Sequence, residues 1–266
     1  MTNADRAPVL HTYHLGPRVT AFSTTRQGGC SEGSYASFNI NPYCGDTEEH
    51  VAANRQALCS LLGIDGSRLV LPHQVHGIES RVIDSQFFSL PASRREAAVD
   101  GVDIVMTQLT DVCIGVSTAD CIPLLISDPH RHAVCAVHAG WRGTVARAAQ
   151  KAVADMRAAF GSQPSHLQVV VGPGISIGAF EVGDEVYERF VEARFDMGRL
   201  ARRQDKWHID LPACNRDQLI QAGVPQANIH LSGLCTVAQA GTFFSARTLG
   251  TRSGRIYNGI MLRKAE

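Results

Sequence analysis

Between residues 112 and 160 the chain crowds three apolar runs and one amphipathic segment into so little sequence that few arrangements can satisfy them. The runs at 112–116, 122–127 and 133–137 are short and rich in Val and Ile, and Asp128-Pro129 breaks the last two apart. They predict closely spaced antiparallel strands with a turn at that dipeptide. From 144 to 160, apolar residues at 145, 148, 149, 152, 153, 156 and 160 recur at helical spacing, and Gly161 follows as a stop. A helix lying back across the strands is the expectation.

Reactive side chains stand at the ends of these strands. Cys121 precedes the second run and His138 follows the third, while Leu71-Pro72-His73-Gln74-Val75-His76-Gly77 offers further imidazoles upstream. Thiolate and imidazole suit zinc, and they equally make a nucleophile–base pair. Two histidines and one cysteine would leave a fourth tetrahedral position open, as a catalytic zinc requires. The plain alternative is a buried structural thiol and a hydrogen-bonded core histidine. The flanking Ala139-Gly140-Trp141-Arg142-Gly143 weighs against it, since a simple core strand does not end that way. Gly140 and Gly143 would let backbone N–H groups approach a ligand, the helix near Thr144 would add its positive end, and Arg142 a guanidinium. Together they predict an anion pocket. The competing reading makes Trp141 a core anchor and Arg142 the partner of a buried carboxylate.

Asp120 is a candidate general base or acceptor for an imidazole N–H, or simply a loop cap. Gly174-Ile175-Ser176-Ile177-Gly178 matches the nucleophile-elbow pattern, which requires a helix starting at the serine. The next helical pattern begins only near Asp184, so a tight glycine loop is the better reading.

Beyond this segment the chain alternates short apolar runs with helical patterns. Asp46 with Glu49 predicts the start of a helix ending before Gly63, and Asp210 caps another ending at Gly223. Strands are expected at 19–23, 69–74, 80–83, 102–107, 168–171, 229–231 and 243–245. The mixed connections point to an α+β fold, a mixed-sheet layered sandwich of α/β/β/α order in a single globular domain spanning 1–266. Residues 1–18 read as a loose N-terminal segment and 85–98 as a mobile excursion. Net charge is zero, which argues against a nucleic-acid partner or a basic membrane-binding surface. No apolar run approaches the ~20 residues of a membrane span. The first residues lack the cationic start and apolar stretch of a signal peptide. The eight cysteines form no Cys-x-x-Cys and are expected as reduced thiols. A cytoplasmic monomer acting on small molecules is the expectation.

The chain also carries a set of motifs that is specific when taken together. These are residues 23–39, Gly45-Asp46, Asn54-Arg55, Gln74-Val75-His76-Gly77, Thr118-Ala119-Asp120-Cys121 and residues 137–143. Residues 172–178 and 180–183, Cys235-Thr236 and residues 243–247 complete it. In these the chain resembles the YfiH-like family, labelled "laccase domain" or polyphenol oxidase and associated with purine nucleoside phosphorolysis. The resemblance implies His76, Cys121 and His138 as metal ligands, leaving His73 outside the set. It implies zinc-dependent phosphorolysis of adenosine, inosine, guanosine or methylthioadenosine, with adenosine deamination as a second reaction. Arg26, Arg55 and Asn39 then join Arg142, Gly140 and Gly143 as candidate substrate and phosphate contacts, beside Asp120. The same family suggests an alternative, hydrolytic editing of a cell-wall precursor at the same Cys/His site. Oxygen-dependent phenol oxidation is the weaker alternative. A multicopper centre needs repeated His-x-His pairs, and eleven histidines here supply one, His130 and His132. Adventitious copper on a Cys/His set remains chemically reasonable. The zinc deaminase signature is absent. The chain departs from the family pattern at Tyr43 and Cys44, where His-Val is usual, at Phe180 for tyrosine, and at Ala246 for an aromatic residue.

Overall fold

The computed structural model describes residues 7–264. In its first half the strands are β1 (Leu10–Tyr13), β2 (Val19–Thr24), β3 (Leu69–Val70), β4 (Ser80–Val82), β5 (Ile104–Thr107) and β6 (Cys113–Thr118). There follow β7 (Ile122–Asp128), β8 (Ala133–Ala139), β9 (Gln168–Val171), β10 (Glu181–Val182), β11 (Ala201–Arg203), β12 (Trp207–Ile209), β13 (Ile229–Leu231) and β14 (Ile256–Leu262). The helices are α1 (Glu48–Leu62), α2 (Ser85–Ser89), α3 (Ala92–Ala98), α4 (Trp141–Val145), α5 (Ala148–Phe160), α6 (Asp184–Glu192), α7 (Met197–Leu200), α8 (Leu211–Gln221) and α9 (Ala246–Leu249).

Two mixed sheets pack face to face. One runs β1-β2-β14-β6-β3 and the other β13-β9-β7-β8-β5-β4, with β10-β12-β11 as a small antiparallel sheet beside them. Alternation decides which side chains meet between the layers. Ile114 and Val116 of β6 and Ile260 of β14 face Leu125, Val134, Ala136 and Val170 of the second sheet. The opposite face of the second sheet, with Leu124, Ile126, Cys135 and Val137, buries Ala148, Ala149, Ala152, Val153 and Met156 of α5. That stripe of small residues lets α5 lie close to the strands. On the far side of the first sheet, Phe22, Tyr257 and Met261 bury Leu58, Cys59 and Leu62 of α1. The order of layers is α/β/β/α, as the sequence pattern predicts.

Several local expectations are corrected. The three crowded runs do not form one antiparallel cluster: β7 pairs with β8, but β6 belongs to the other sheet. Residues 119–121 therefore cross between layers. The α1 cap is Thr47, whose side chain accepts from His50 N–H, rather than Asp46. The helix expected from Thr144 begins at Trp141 and breaks at Arg147, which adopts φ 67°. The α8 side chains of Asn215 and Gln218 donate to the Thr144 hydroxyl and carbonyl at this break. Segment 85–98 is not irregular but forms α2 and α3, with Phe87 buried. Of the segment expected as loose, residues 10–13 pair with β2, while residues 1–6 lie outside the described residues. No strand forms at 243–245. The late strand is β14, between β2 and β6. There Gly115 and Gly259 stand opposite one another, and a Cβ on Gly115 would fall 2.4 Å from the Tyr257 ring.

Candidate metal centre

The β7–β8 register pairs Pro123 with His138 and Ile122 with Ala139. Carried one residue further, it sets Cys121 against Gly140 and makes Cys121 the diagonal same-face neighbour of His138. Gly140 has to be small: a Cβ there would lie 2.9 Å from Cys121 Sγ and 3.1 Å from His76 Cδ2. His76 arrives on the 75–77 loop with φ 63°, a left-handed conformation. The donor atoms of His76, Cys121 and His138 all lie within 4.8 Å of one another. Among the described residues this is the one cluster of three or more His, Cys, Asp or Glu donors suited to a metal ion.

Asp103, which carries no mark in the sequence, organises the cluster. It is fully buried immediately before β5, and its Oδ1 stands 2.6 Å from His138 Nδ1. The same carboxylate accepts the N–H groups of Val75, His76 and Gly77. One buried carboxylate thus fixes the His138 ring and the loop bearing His76. Its bond to Nδ1 leaves Nε2 of His138 for the metal or the thiol, the outer-ligand arrangement of many metal-bound histidines. Burial pushes the Cys121 thiol up, but the charges and hydrogen bonds of His138 and His76 outweigh it and bring the thiol well below its ordinary value. Burial likewise works against charge on His138, and Cys121 and Asp103 outweigh it, pushing the imidazole up. A thiolate beside cationic imidazole is prepared for a metal or for nucleophilic attack.

The cluster opens into a cavity of about 360 Å³, lined by Tyr43, Cys44, His73, Gln74, Ser117, Ala246 and Arg255 among others. The remaining sequence candidates lie elsewhere. Asp120, at φ 87°, accepts from the Thr236 hydroxyl and the Arg247 N–H, holding two later loops rather than an imidazole. Arg142 is exposed and stacks on Trp141, 4.3 Å from its ring centre. Arg26 donates to the carbonyls of Ala36 and Ala240, which ties the 23–39 loop to the 240 region. Arg55 lines a neighbouring cavity of about 430 Å³ that shares Tyr43 with the first. Asn39 is buried and bonds Asp46, Asn41 and the Arg255 N–H. Gly143 packs near the Gly77 carbonyl. Arg255, which the sequence reading did not single out, also lines the metal-side cavity, with its guanidinium donating to the carbonyls of Thr251, Ser253 and Gly254. His73 also lines it, 2.7 Å from Asp100 and 4.4 Å from the Tyr43 ring. Ser176 sits in a turn with α6 starting only at Asp184, so no nucleophile elbow forms.

Residues 20–263 match the family described as multi-copper polyphenol oxidoreductase laccase. The chain belongs to that family. It is 43% identical over 249 residues, 92% of each chain, to a protein of Bacteroides thetaiotaomicron named purine nucleoside phosphorylase. It is also 43% identical over 245 residues to adenosine deaminase RL5 from an unknown prokaryotic organism, covering 91% of this chain and 93% of that one. Among solved structures it is similar to Bacillus licheniformis YfiH, with a TM-score of 0.90 at 30% identity over 97% of both chains. Geobacillus stearothermophilus YlmD superposes with a TM-score of 0.86 at 31% identity, over 93% of both. These relatives place the chain in a family of enzymes, and the fold is theirs. No helix among the described residues is long and apolar enough to cross a membrane.

Proposed function

We propose that this chain is a zinc-dependent purine nucleoside phosphorylase with adenosine deamination as a second reaction. The observation that carries the reading is the open three-donor set of His76, Cys121 and His138 at the wall of a cavity large enough for a nucleoside. It is supported by close similarity to relatives named for these two activities. The donor chemistry fits zinc: two imidazoles and a thiol already biased toward thiolate, with Gly140 leaving the room a side chain would take. When bound, the ion would supply Lewis-acid polarisation of a substrate oxygen. The chain's own residues do the rest. Asp103 holds His138 and the His76 loop in place. Cleavage of a glycosidic bond demands little covalent help once an anion is placed against the developing positive charge of the sugar, so placement is the main task.

Incubation with inosine or adenosine, with and without inorganic phosphate, tests this. Free base from inosine should appear only with phosphate, stop after chelation and return with zinc. Cys121→Ser should lose metal and activity, whereas Ser176→Ala should keep most of its activity. Base release that ignores both phosphate and chelator would overturn the proposal.

A second reading rests on the Cys121–His138–Asp103 chain of contacts, which also describes a thiol nucleophile, its base and the base's orienter. It would make the chain a cysteine hydrolase, with a cell-wall precursor as substrate. Alkylation would then abolish activity and chelators would leave it intact.

A further inference from the structure

We propose that Tyr43, backed by His73, is the stacking platform for the purine base. The proposal rests on the nucleoside reading above and adds to it the residue that receives the base. Among the described residues Tyr43 is the one exposed phenylalanine, tyrosine or tryptophan, at 48%, and it lines the cavity that holds His76, Cys121 and His138. A lone exposed aromatic ring is ordinary on an open surface. In the wall of a cavity beside a reactive set, the same ring is apolar binding surface.

The ring is held before any ligand arrives. The Tyr43 N–H donates to Asn41 Oδ1 at 2.7 Å, and the carbonyl of Cys44 accepts from the Tyr35 hydroxyl. The His73 imidazole packs on the phenol ring with 4.4 Å between centres. His73 is itself fixed: its Nδ1 stands 2.7 Å from Asp100, its N–H donates to the Val99 carbonyl, and its own carbonyl accepts the Gly101 N–H. An ordered platform lowers the entropic cost of binding. Chain length ties the pair to the metal set, since the three residues from His73 to His76 span at most about 11 Å. One nucleoside in a cavity of about 360 Å³ can therefore touch both.

The two reactions proposed for this centre favour a contact with the face of the base over one with its edge. Phosphorolysis needs the C1′ carbon of the sugar at the centre, and deamination needs C6 of the base there. A base clamped along one edge by fixed hydrogen bonds cannot present both. Stacking makes no such demand, because every purine offers a π-face and all its edges stay free. Adenosine, inosine and guanosine differ only at those edges, so one platform serves all three.

The test compares wild type with Tyr43→Ala, Tyr43→Leu and Tyr43→Phe in inosine phosphorolysis and adenosine deamination, with zinc content measured alongside. Tyr43→Ala and Tyr43→Leu should each raise KM for both nucleosides about tenfold, the loss of one base–ring stack. Both kcat and the KM for phosphate should stay near wild type, because the face contact is made equally in ground and transition states. Tyr43→Phe should restore KM, and zinc content should not change. Tyr43→Trp gives a reading that needs no turnover: its added fluorescence over wild type should be quenched by inosine without phosphate, and not by ribose. A wild-type KM in Tyr43→Ala, a loss confined to one of the reactions the wild type performs, Tyr43→Leu behaving as Tyr43→Phe, or no quenching would overturn the platform. A wild type that acts on neither nucleoside overturns the nucleoside reading, and the platform with it. An active wild type with an unaffected Tyr43→Ala leaves that reading standing and removes the platform alone.

Discussion

Two histidines lining one cavity, His138 and His73, pair with aspartates at almost the same distance in opposite surroundings. His138 Nδ1 is 2.6 Å from Asp103, with side-chain exposures of 3% and 0%. His73 Nδ1 is 2.7 Å from Asp100, with exposures of 44% and 67%. In the buried pair the low dielectric strengthens the attraction, and the carboxylate also holds the N–H groups of residues 75–77. In the exposed pair water and salt screen the charges, and its net worth is small. Distance alone would rank the two pairs equal; burial and shared partners separate them. The buried pair organises a reactive centre, whereas the outer one shapes the rim beside Tyr43.

Asp103→Ala should produce the largest effect, because it strands a buried imidazole and frees three backbone N–H groups. Breaking a buried pair costs about 3–5 kcal/mol, so denaturant unfolding should show a large drop together with loss of bound metal. Near-wild-type stability would erase the distinction between the pairs. Gly140→Ala sharpens it by disturbing the cluster while leaving Asp103 untouched. Its Cβ would press on Cys121 and His76, so metal affinity should fall about 10–100-fold with only a modest change in the unfolding midpoint. Metal titration against a competing chelator reads this directly. The smallest effect belongs to the outer pair. Asp100→Asn should shift stability by no more than about 0.5 kcal/mol and leave zinc content unchanged, as surface pairs do. Metal loss in Asp100→Asn would mean that the two pairs act as one network.

The layered sandwich was legible because its strands and α5 carry strong periodic patterns. Two elements escaped for identifiable reasons. The strand β14 contains Asn258-Gly259, a dipeptide that reads as a turn, yet Asn258 bonds Ser23 and Thr118, and Gly259 makes room for Phe22. Phe87 of α2 is buried, but 85–98 is too short and too irregular in pattern to announce two helices. In the site, the motifs singled out His76, Cys121 and His138, and the chain brings them together. Of the expected anion contacts, Arg26 and Arg142 do not line the cavity beside the metal set. Arg26 and Arg142 look available in sequence, but one is held by backbone carbonyls and the other lies along an indole.

Residue types and their spacing settled that strands form at 122–127 and 133–137 with a helix after them, and that Cys121 and His138 lie at strand ends, because both depend on periodicity and on short stretches of chain. Tertiary structure alone decided that β6 leaves the β7–β8 sheet, so that Asp120 and Cys121 sit on a crossover between layers. It also chose Asp103 over Asp120 as the carboxylate for His138. These outcomes depend on how far a group is buried and on which distant group reaches it first. Such competition among residues remote in sequence becomes visible only once the sheets have packed.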